Sequence, residues 1–156
     1  MKKLIMVLAL LIAAFGATGG LAEGQPVAIV VHPDVQVSDL TTSQLRRIFL
    51  ADQQFWPDRS RIVLLVRAPK ADDRNMVLDR IYQMSESEYS RYWIAKIFRA
   101  EIAAGPQIVF SSNMAQELVT AIPGSITFIP SSEIDSHIKV LSIDGLLPDQ
   151  PGYVLH

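Results

Sequence analysis

The chain has 156 residues, with 14 Lys and Arg against 16 Asp and Glu, and no cysteine. This mildly acidic balance argues against a nucleic-acid-binding protein, which carries a basic surface. The absence of cysteine excludes a disulfide scaffold and a lipid-modified cysteine. A chain of this length can bury a sizeable core without covalent links, so packing alone must hold it.

The first 22 residues have the pattern of a cleavable signal peptide. Lys2 and Lys3 precede an apolar run over residues 4–14, and Gly20-Leu21-Ala22 offers small residues for cleavage. A membrane anchor is the alternative, but the run is shorter than the ~20 residues that a span needs. The sequence therefore predicts an exported, periplasmic protein with one domain over residues 23–156.

Short apolar runs with many β-branched residues predict five strands. Continuous runs of this kind are typical of strands that are covered on both faces, as in a mainly parallel sheet. The predicted strands are residues 27–31, 62–66, 107–110, 125–129 and 138–143.

Helices are predicted between these strands from their capping signals. Thr41 with Gln44 and Ser85 with Glu88 have the spacing of capping boxes. Another helix should begin near Asp72 or Asp73, where acids complement the helix dipole. Alternating strands and helices predict an α/β fold, with a mainly parallel sheet and helices on both faces.

The helix after Ser85 is rich in aromatic residues. Tyr89, Trp93 and Ile97 share one stripe, with Ile94 and Phe98 beside it. Tyr89, Tyr92, Trp93 and Phe98 could form a partner-binding patch, but this spacing favours the core, with only Tyr92 exposed.

Two strand-to-helix junctions carry the polar groups that could bind a ligand, since ligands of α/β proteins bind at the carboxyl ends of strands. The first contains Arg67, Lys70 and Arg74. Arg67 is either an anion contact or the ion-pair partner of Asp72 or Asp73, and the pairing is favoured because the acids are so close.

The second junction contains Ser111, Ser112 and Asn113, which either form a polar nest facing the cleft or simply cap the next helix. His32, at the end of the first strand, could face the same crevice. The three histidines are far apart in sequence, and no metal site or cofactor is expected. The chain has no P-loop, zincin helix or nucleophile elbow, so no enzymatic activity is expected.

Five segments, in order, resemble the second lobe of phosphate-type (PstS-like) periplasmic solute-binding proteins. They are LRRIFL (45–50), FWPD (55–58), IVLLVR (62–67), VTAIPGSITFIP (119–130) and VLSIDG (140–145). The resemblance implies a single lobe of the type II periplasmic-binding fold that binds phosphate or another small oxyanion. It also implies a membrane transporter or sensor as partner, and a homodimer is an option because a lone lobe cannot clamp a solute.

The sequence differs from the family at the expected anion site. The family has a "DGSGTT"-like loop after the arginine matched by Arg67, whereas this chain has APKADDR at 68–74, without glycine or hydroxyl groups. Each like-charge contact near 4 Å would cost a bound anion on the order of 4 kcal/mol at a dielectric of about 20. The sequence therefore predicts weak oxyanion binding, and leaves open a ligand-free interaction or sensory accessory module.

Overall fold

The structure is a computed structural model that describes residues 24–156; the predicted signal peptide lies outside the described residues. Within residues 24–156, six strands and four α-helices make up the fold. The strands are β1 (Val27–Val31), β2 (Asp39–Leu40), β3 (Val63–Arg67), β4 (Gln107–Val109), β5 (Ser125–Pro130) and β6 (Lys139–Ile143). The helices are α1 (Thr42–Phe49), α2 (Asp72–Val77), α3 (Glu86–Phe98) and α4 (Ser112–Ala121), and a π-helical segment (Leu78–Tyr82) follows α2.

The strands form one sheet in the order β2-β6-β1-β5-β3-β4. β3 pairs in parallel with β4 and β5, and β2 pairs in parallel with β6. β1 is antiparallel to both of its neighbours, so it alone runs against the other five strands. The predicted α/β fold with a mainly parallel sheet is therefore confirmed, with one antiparallel strand at its centre.

Both faces of the sheet are covered, which explains the continuous apolar runs. Val27, Ile29 and Val31 of β1 belong to the core layer beneath α1, α2 and α3. Ala28 and Val30 belong to the opposite layer, beneath α4. Alternate residues of one strand thus build two separate cores.

The helix starts follow their caps. The side chains of Thr41 and Ser85 each accept a hydrogen bond from the backbone amide three residues later, and both predicted capping boxes are present. The helix after Asp72 differs from the regular pattern, because its α-helical part ends at Val77 and continues as the π-helical segment. The wider turn buries the neighbours Ile81 and Tyr82 together, at 0% and 1% exposure.

Helix α3 is rotated relative to the predicted stripe. Tyr89, Trp93 and Lys96 face the interior, whereas Phe98 is 91% exposed, so its expected place in the core is wrong. The rotation is set by Lys96, whose buried ammonium donates to Asp52 at 2.5 Å and to the Tyr92 hydroxyl at 3.0 Å. These two oxygens make a lysine acceptable at a buried position.

No helix among residues 24–156 is long and apolar enough to cross a membrane.

A glycine turn joins α4 to β5 and brings β5 against β3. Gly124 has φ +75°, and a Cβ atom there would lie 2.2 Å from the carbonyl oxygen of Arg61. Its own carbonyl accepts a hydrogen bond from Trp56 Nε1 at 2.9 Å. Only glycine satisfies both the backbone angle and the close approach of the two chain segments.

Gly124→Ala should lower the free energy of unfolding by more than about 2 kcal/mol, since left-handed strain and a backbone clash add. Gly145→Ala is the matched control, because Gly145 has φ +76° but a Cβ atom there would meet no atom within 4 Å. It should cost only the strain, about 1–2 kcal/mol. Equal losses in urea denaturation would contradict the role of the Arg61 contact.

Candidate functional site

The carboxyl end of β3 and the first turn of α2 form the site that the sequence indicates. After Arg67, the amide of Ala68 donates to the carbonyl of Val109 at 2.9 Å, which holds the turn beside β4. Lys70 adopts a left-handed conformation with φ 72°, a backbone angle that glycine would adopt without strain. The turn therefore bends through a left-handed residue that carries a long side chain.

Arg67 is held by an acid of its own chain. Its Nε donates to Oδ2 of Asp73 at 2.8 Å, and the Arg67 side chain is only 12% exposed. The second carboxylate oxygen of Asp73, Oδ1, accepts from the backbone amide of Arg74 at 2.9 Å. A carboxylate of the protein thus lies against the guanidinium and a helix amide, which are the groups that would hold an oxyanion.

Arg74 makes more hydrogen bonds than Arg67 does. Its Nη1 donates to the carbonyl of Arg67 at 2.7 Å, and its Nε and Nη2 donate to the two carboxylate oxygens of Glu86. Its guanidinium carbon also lies 4.6 Å from the centre of the Tyr89 ring. Arg74 therefore ties the end of β3 to the start of α3 and is 4% exposed, so it has no free face for a solute.

Electrostatics at this junction are governed by burial. Asp73 is 4% exposed, and burial raises the pKa of its carboxyl, against the opposing effect of the Arg67 charge. The nearby charge of Glu133 adds a smaller upward effect on this pKa. The Asp73 carboxylate thus already places negative charge beside Arg67, which disfavours a second anion there.

Lys70 and Asp72 lie outside this buried group. Both are exposed, and neither is in an ion pair among the described residues. Lys70 therefore forms no ion pair with Asp73. The pairing with a nearby acid that the sequence indicated is made by Arg67.

The second predicted junction lies beside the first, because Arg67 is in register with Val109 at the end of β4. Ser111 is the N-cap of α4, and its Oγ accepts from the amide of Met114 at 3.0 Å. Asn113 is exposed and lines an open cavity of about 670 Å³ with His137. The capping function is thus observed for Ser111.

Two buried polar atoms at these strand ends have no hydrogen-bond partner among the described residues: Arg67 Nη1 and Ser112 Oγ. Buried donors are nearly always satisfied, so a partner outside the protein is expected for each. Both atoms have almost no solvent-accessible surface, so a ligand can reach them only where the surrounding side chains move.

His32 does not join the site. β1 runs opposite to β3, so its carboxyl end lies at the other end of the sheet, where the His32 amide donates to the carbonyl of Ser125. The expectation that His32 could face the same crevice is therefore wrong. Among residues 24–156 no group of three or more His, Cys, Asp or Glu is placed to hold a metal ion.

Glu86 and Glu133 are the site residues that sequence reasoning missed. In the sequence, Glu86 has the position of an acid in the first turn of α3. Its ion-pair partner Arg74 lies twelve residues earlier, before the π-helical segment. Glu133 follows β5 and approaches Asp73 only through the sheet order. No local signal identifies the Arg74–Glu86 ion pair or the effect of the Glu133 charge on Asp73.

Several solved structures to which the chain is similar are described as phosphate-binding or phosphate-transport proteins. The chain superposes on a phosphate ABC transporter substrate-binding protein from Clostridium perfringens with bound phosphate, at a TM-score of 0.65 and 20% identity. It also matches an ABC-type phosphate transport receptor from Vibrio cholerae (0.64, 19%) and PstS from Borrelia burgdorferi (0.61, 16%). No family model matches the sequence.

These matches cover 80% of this chain but only 47%, 48% and 49% of the three proteins. The chain thus spans about half the length of the structures it resembles. The similarity to PstS-like proteins that the sequence indicated is confirmed at the level of the fold.

Replacing Arg67 by Met should lower the free energy of unfolding by about 3–5 kcal/mol, because Asp73 would be left buried and unpaired. The double variant Arg67→Met, Asp73→Leu should recover most of this loss, since no charge is then left in the interior. Denaturant unfolding of the wild type, both single variants and the double variant measures the coupling. If the double variant lost as much stability as the two single variants together, the buried ion pair would be contradicted.

The stability should also depend on pH through Asp73. Because the folded pKa of Asp73 is raised above its ordinary value of 3.8, the folded state binds the proton more tightly than the unfolded state. The contribution of this group to stability therefore falls as pH rises from that value through the raised pKa. Asp73→Asn should remove this slope in unfolding curves measured over the acid range, and an unchanged slope would contradict the assignment.

Proposed function

We propose that this chain is an exported solute-binding protein of the phosphate ABC transporter type that binds a small oxyanion such as phosphate only weakly. The observation that carries the proposal is Arg67, which lies at the strand end with Nη1 buried and unpartnered while Nε is already bound to Asp73. Ser112 Oγ, also buried and unpartnered, offers a second donor at the neighbouring junction. The two unpartnered donors support recognition, and their burial together with the adjacent Asp73 carboxylate limits its strength.

The proposed place of action is the periplasm. The predicted signal peptide supports export, and solved structures with this fold include proteins of phosphate ABC transport. A membrane transporter or sensor is therefore the proposed partner. No catalytic role is proposed for Arg67 or Ser112.

Phosphate should stabilise the protein only at high concentration. Calorimetry or thermal shift should give a Kd of about 1 mM or weaker, which corresponds to about −4 kcal/mol of binding free energy. Arg67→Lys keeps the positive charge but loses the second guanidinium donor, so it should weaken binding at least several-fold. Arg80→Lys is the matched control at an exposed arginine of the π-helical segment and should bind as the wild type does.

Two results would count against this function. Absence of any effect at tens of millimolar phosphate would remove the solute-binding proposal. Equal weakening by Arg67→Lys and Arg80→Lys would remove the site assignment while leaving some anion binding in place.

The second candidate is a ligand-free accessory module that acts by contact with a membrane sensor or transporter. The observation that favours it is the closed network itself, in which Asp73 and Glu86 occupy the two arginines of the junction. Fold similarity to solute-binding proteins does not require retained solute binding. Under this alternative, cross-linking in intact cells should join the protein to a membrane protein with and without phosphate, and phosphate should have no thermal effect.

A further inference from the structure

A cavity of about 250 Å³ lies between the sheet and α3, at the amino ends of β3 and β4. Ile62 and Leu64, at the start of β3, line it together with Trp93 of α3, and all three belong to one core layer. Ile102 and Pro106, in the loop that leads from α3 to β4, line it as well. The cavity is therefore bounded by a strand, a helix and the loop that joins that helix to the next strand.

The sheet is incompletely covered where the cavity lies. β3 is an interior strand, with β4 on one side and β5 on the other. Leu65 and Val66 are 0% and 1% exposed, whereas Ile62, Val63 and Leu64 before them are only partly buried. Protein interiors contain few voids larger than a water molecule. The cavity is thus a gap over apolar strand residues that the described residues of the chain do not fill.

The size of the cavity limits what it can hold. An apolar cavity of about 150 Å³ in another protein accepts benzene, so this one has room for a ring of that size and one further small group. Sites for drug-sized ligands are larger, at about 300–1,000 Å³. Nucleotides and sugars are therefore too large, and a compact molecule is the fitting occupant.

The charge at the cavity is positive. Among the described residues that line it, Arg61 is the one charged side chain. Arg61 is exposed and forms no ion pair with another described residue. It also lines a second, more open cavity of about 480 Å³ that shares Gln54 and Ile102 with the first. Arg61 therefore lies where the two cavities meet, with its guanidinium available to an anionic group.

The acids near the second cavity are already paired. Glu101 lines it, and its carboxylate interacts with Arg99 and, at 3.6 Å, with Lys96. Lys96 also donates to the carboxylate of Asp52 at 2.5 Å. Two acids and two bases thus balance one another in this group, and the charge of Arg61 is left over.

We propose that the cavity binds a small monocarboxylate with a compact apolar body of the size of benzoate. The apolar body lies against Leu64, Trp93 and Ile102, and the carboxylate binds the guanidinium of Arg61. Apolar walls with a few placed polar groups are the usual composition of a small-molecule site. A guanidinium can hold a carboxylate through two parallel hydrogen bonds. Phosphate does not suit this site, because it has no apolar surface to bury against these walls.

This site is separate from the proposed oxyanion site. The cavity lies at the amino end of β3, whereas Arg67 is the last residue of the same strand. The two sites share no residue, so phosphate and the carboxylate should not compete. The failure of either proposal therefore leaves the other in place.

Trp93 provides a direct measurement of binding. The chain has two tryptophans, and the other, Trp56, lines neither cavity. When nitrogen-labelled protein is titrated with sodium benzoate, the indole N–H signal of Trp93 should move much further than that of Trp56, with a Kd of about 1 mM or tighter. Benzyl alcohol should bind at least tenfold more weakly because it lacks the charge, and acetate should bind as weakly because it lacks the apolar body.

Two variants test the site. Arg61→Met should weaken benzoate binding at least tenfold, and Arg59→Met, at an exposed arginine of the same turn that lines neither cavity, is the matched control and should bind as the wild type does. Leu64→Phe should weaken binding by filling the cavity, with circular dichroism to show that the variant is folded.

Three results would overturn the proposal. One is the absence of benzoate binding at tens of millimolar. Another is equal affinity of the Arg61→Met and Arg59→Met proteins for benzoate. The third is a titration in which the Trp56 signal moves as far as the Trp93 signal.

Discussion

The buried ion pair of Arg67 and Asp73 is the constraint on which the junction depends. It joins the last residue of β3 to the first turn of α2, with Nε and Oδ2 2.8 Å apart. Arg74 extends the constraint by binding the carbonyl of Arg67 and the carboxylate of Glu86, which fixes the start of α3. Replacing either residue of the pair would leave the other charge desolvated in the interior. The pair therefore holds the turn in place even if it adds little net free energy of folding.

The same pair bears directly on the proposed oxyanion site. An oxyanion at a strand end needs convergent donors that are not already occupied. Here Asp73 takes Nε of Arg67 and the amide of Arg74, and only Nη1 of Arg67 and Oγ of Ser112 remain without partners among the described residues of the junction. The chain also spans about half the length of the matched proteins. Both facts support the proposal that oxyanion binding is weak.

Local chemistry was readable from the sequence, and distant contacts were not. The capping boxes at Thr41 and Ser85, and the pairing of Arg67 with a nearby acid, involve residues within one turn or loop. The rotation of α3, by contrast, depends on Lys96 meeting Asp52, which is 44 residues away. The antiparallel direction of β1 likewise depends on the order of the whole sheet, and it removes His32 from the site. The spacing of apolar residues predicts a helix. It does not show which side of that helix is buried against residues distant in sequence.

The central claim is that the Asp73 carboxylate occupies the place of an anion beside Arg67. Calorimetric titration of Asp73→Asn with phosphate, beside the wild type at the same pH and salt, tests it most directly. Removing one negative charge near 4 Å is worth on the order of 4 kcal/mol at a dielectric of about 20, so the variant should bind phosphate at least tenfold more tightly. Unchanged or weaker binding by a folded Asp73→Asn protein would contradict the claim.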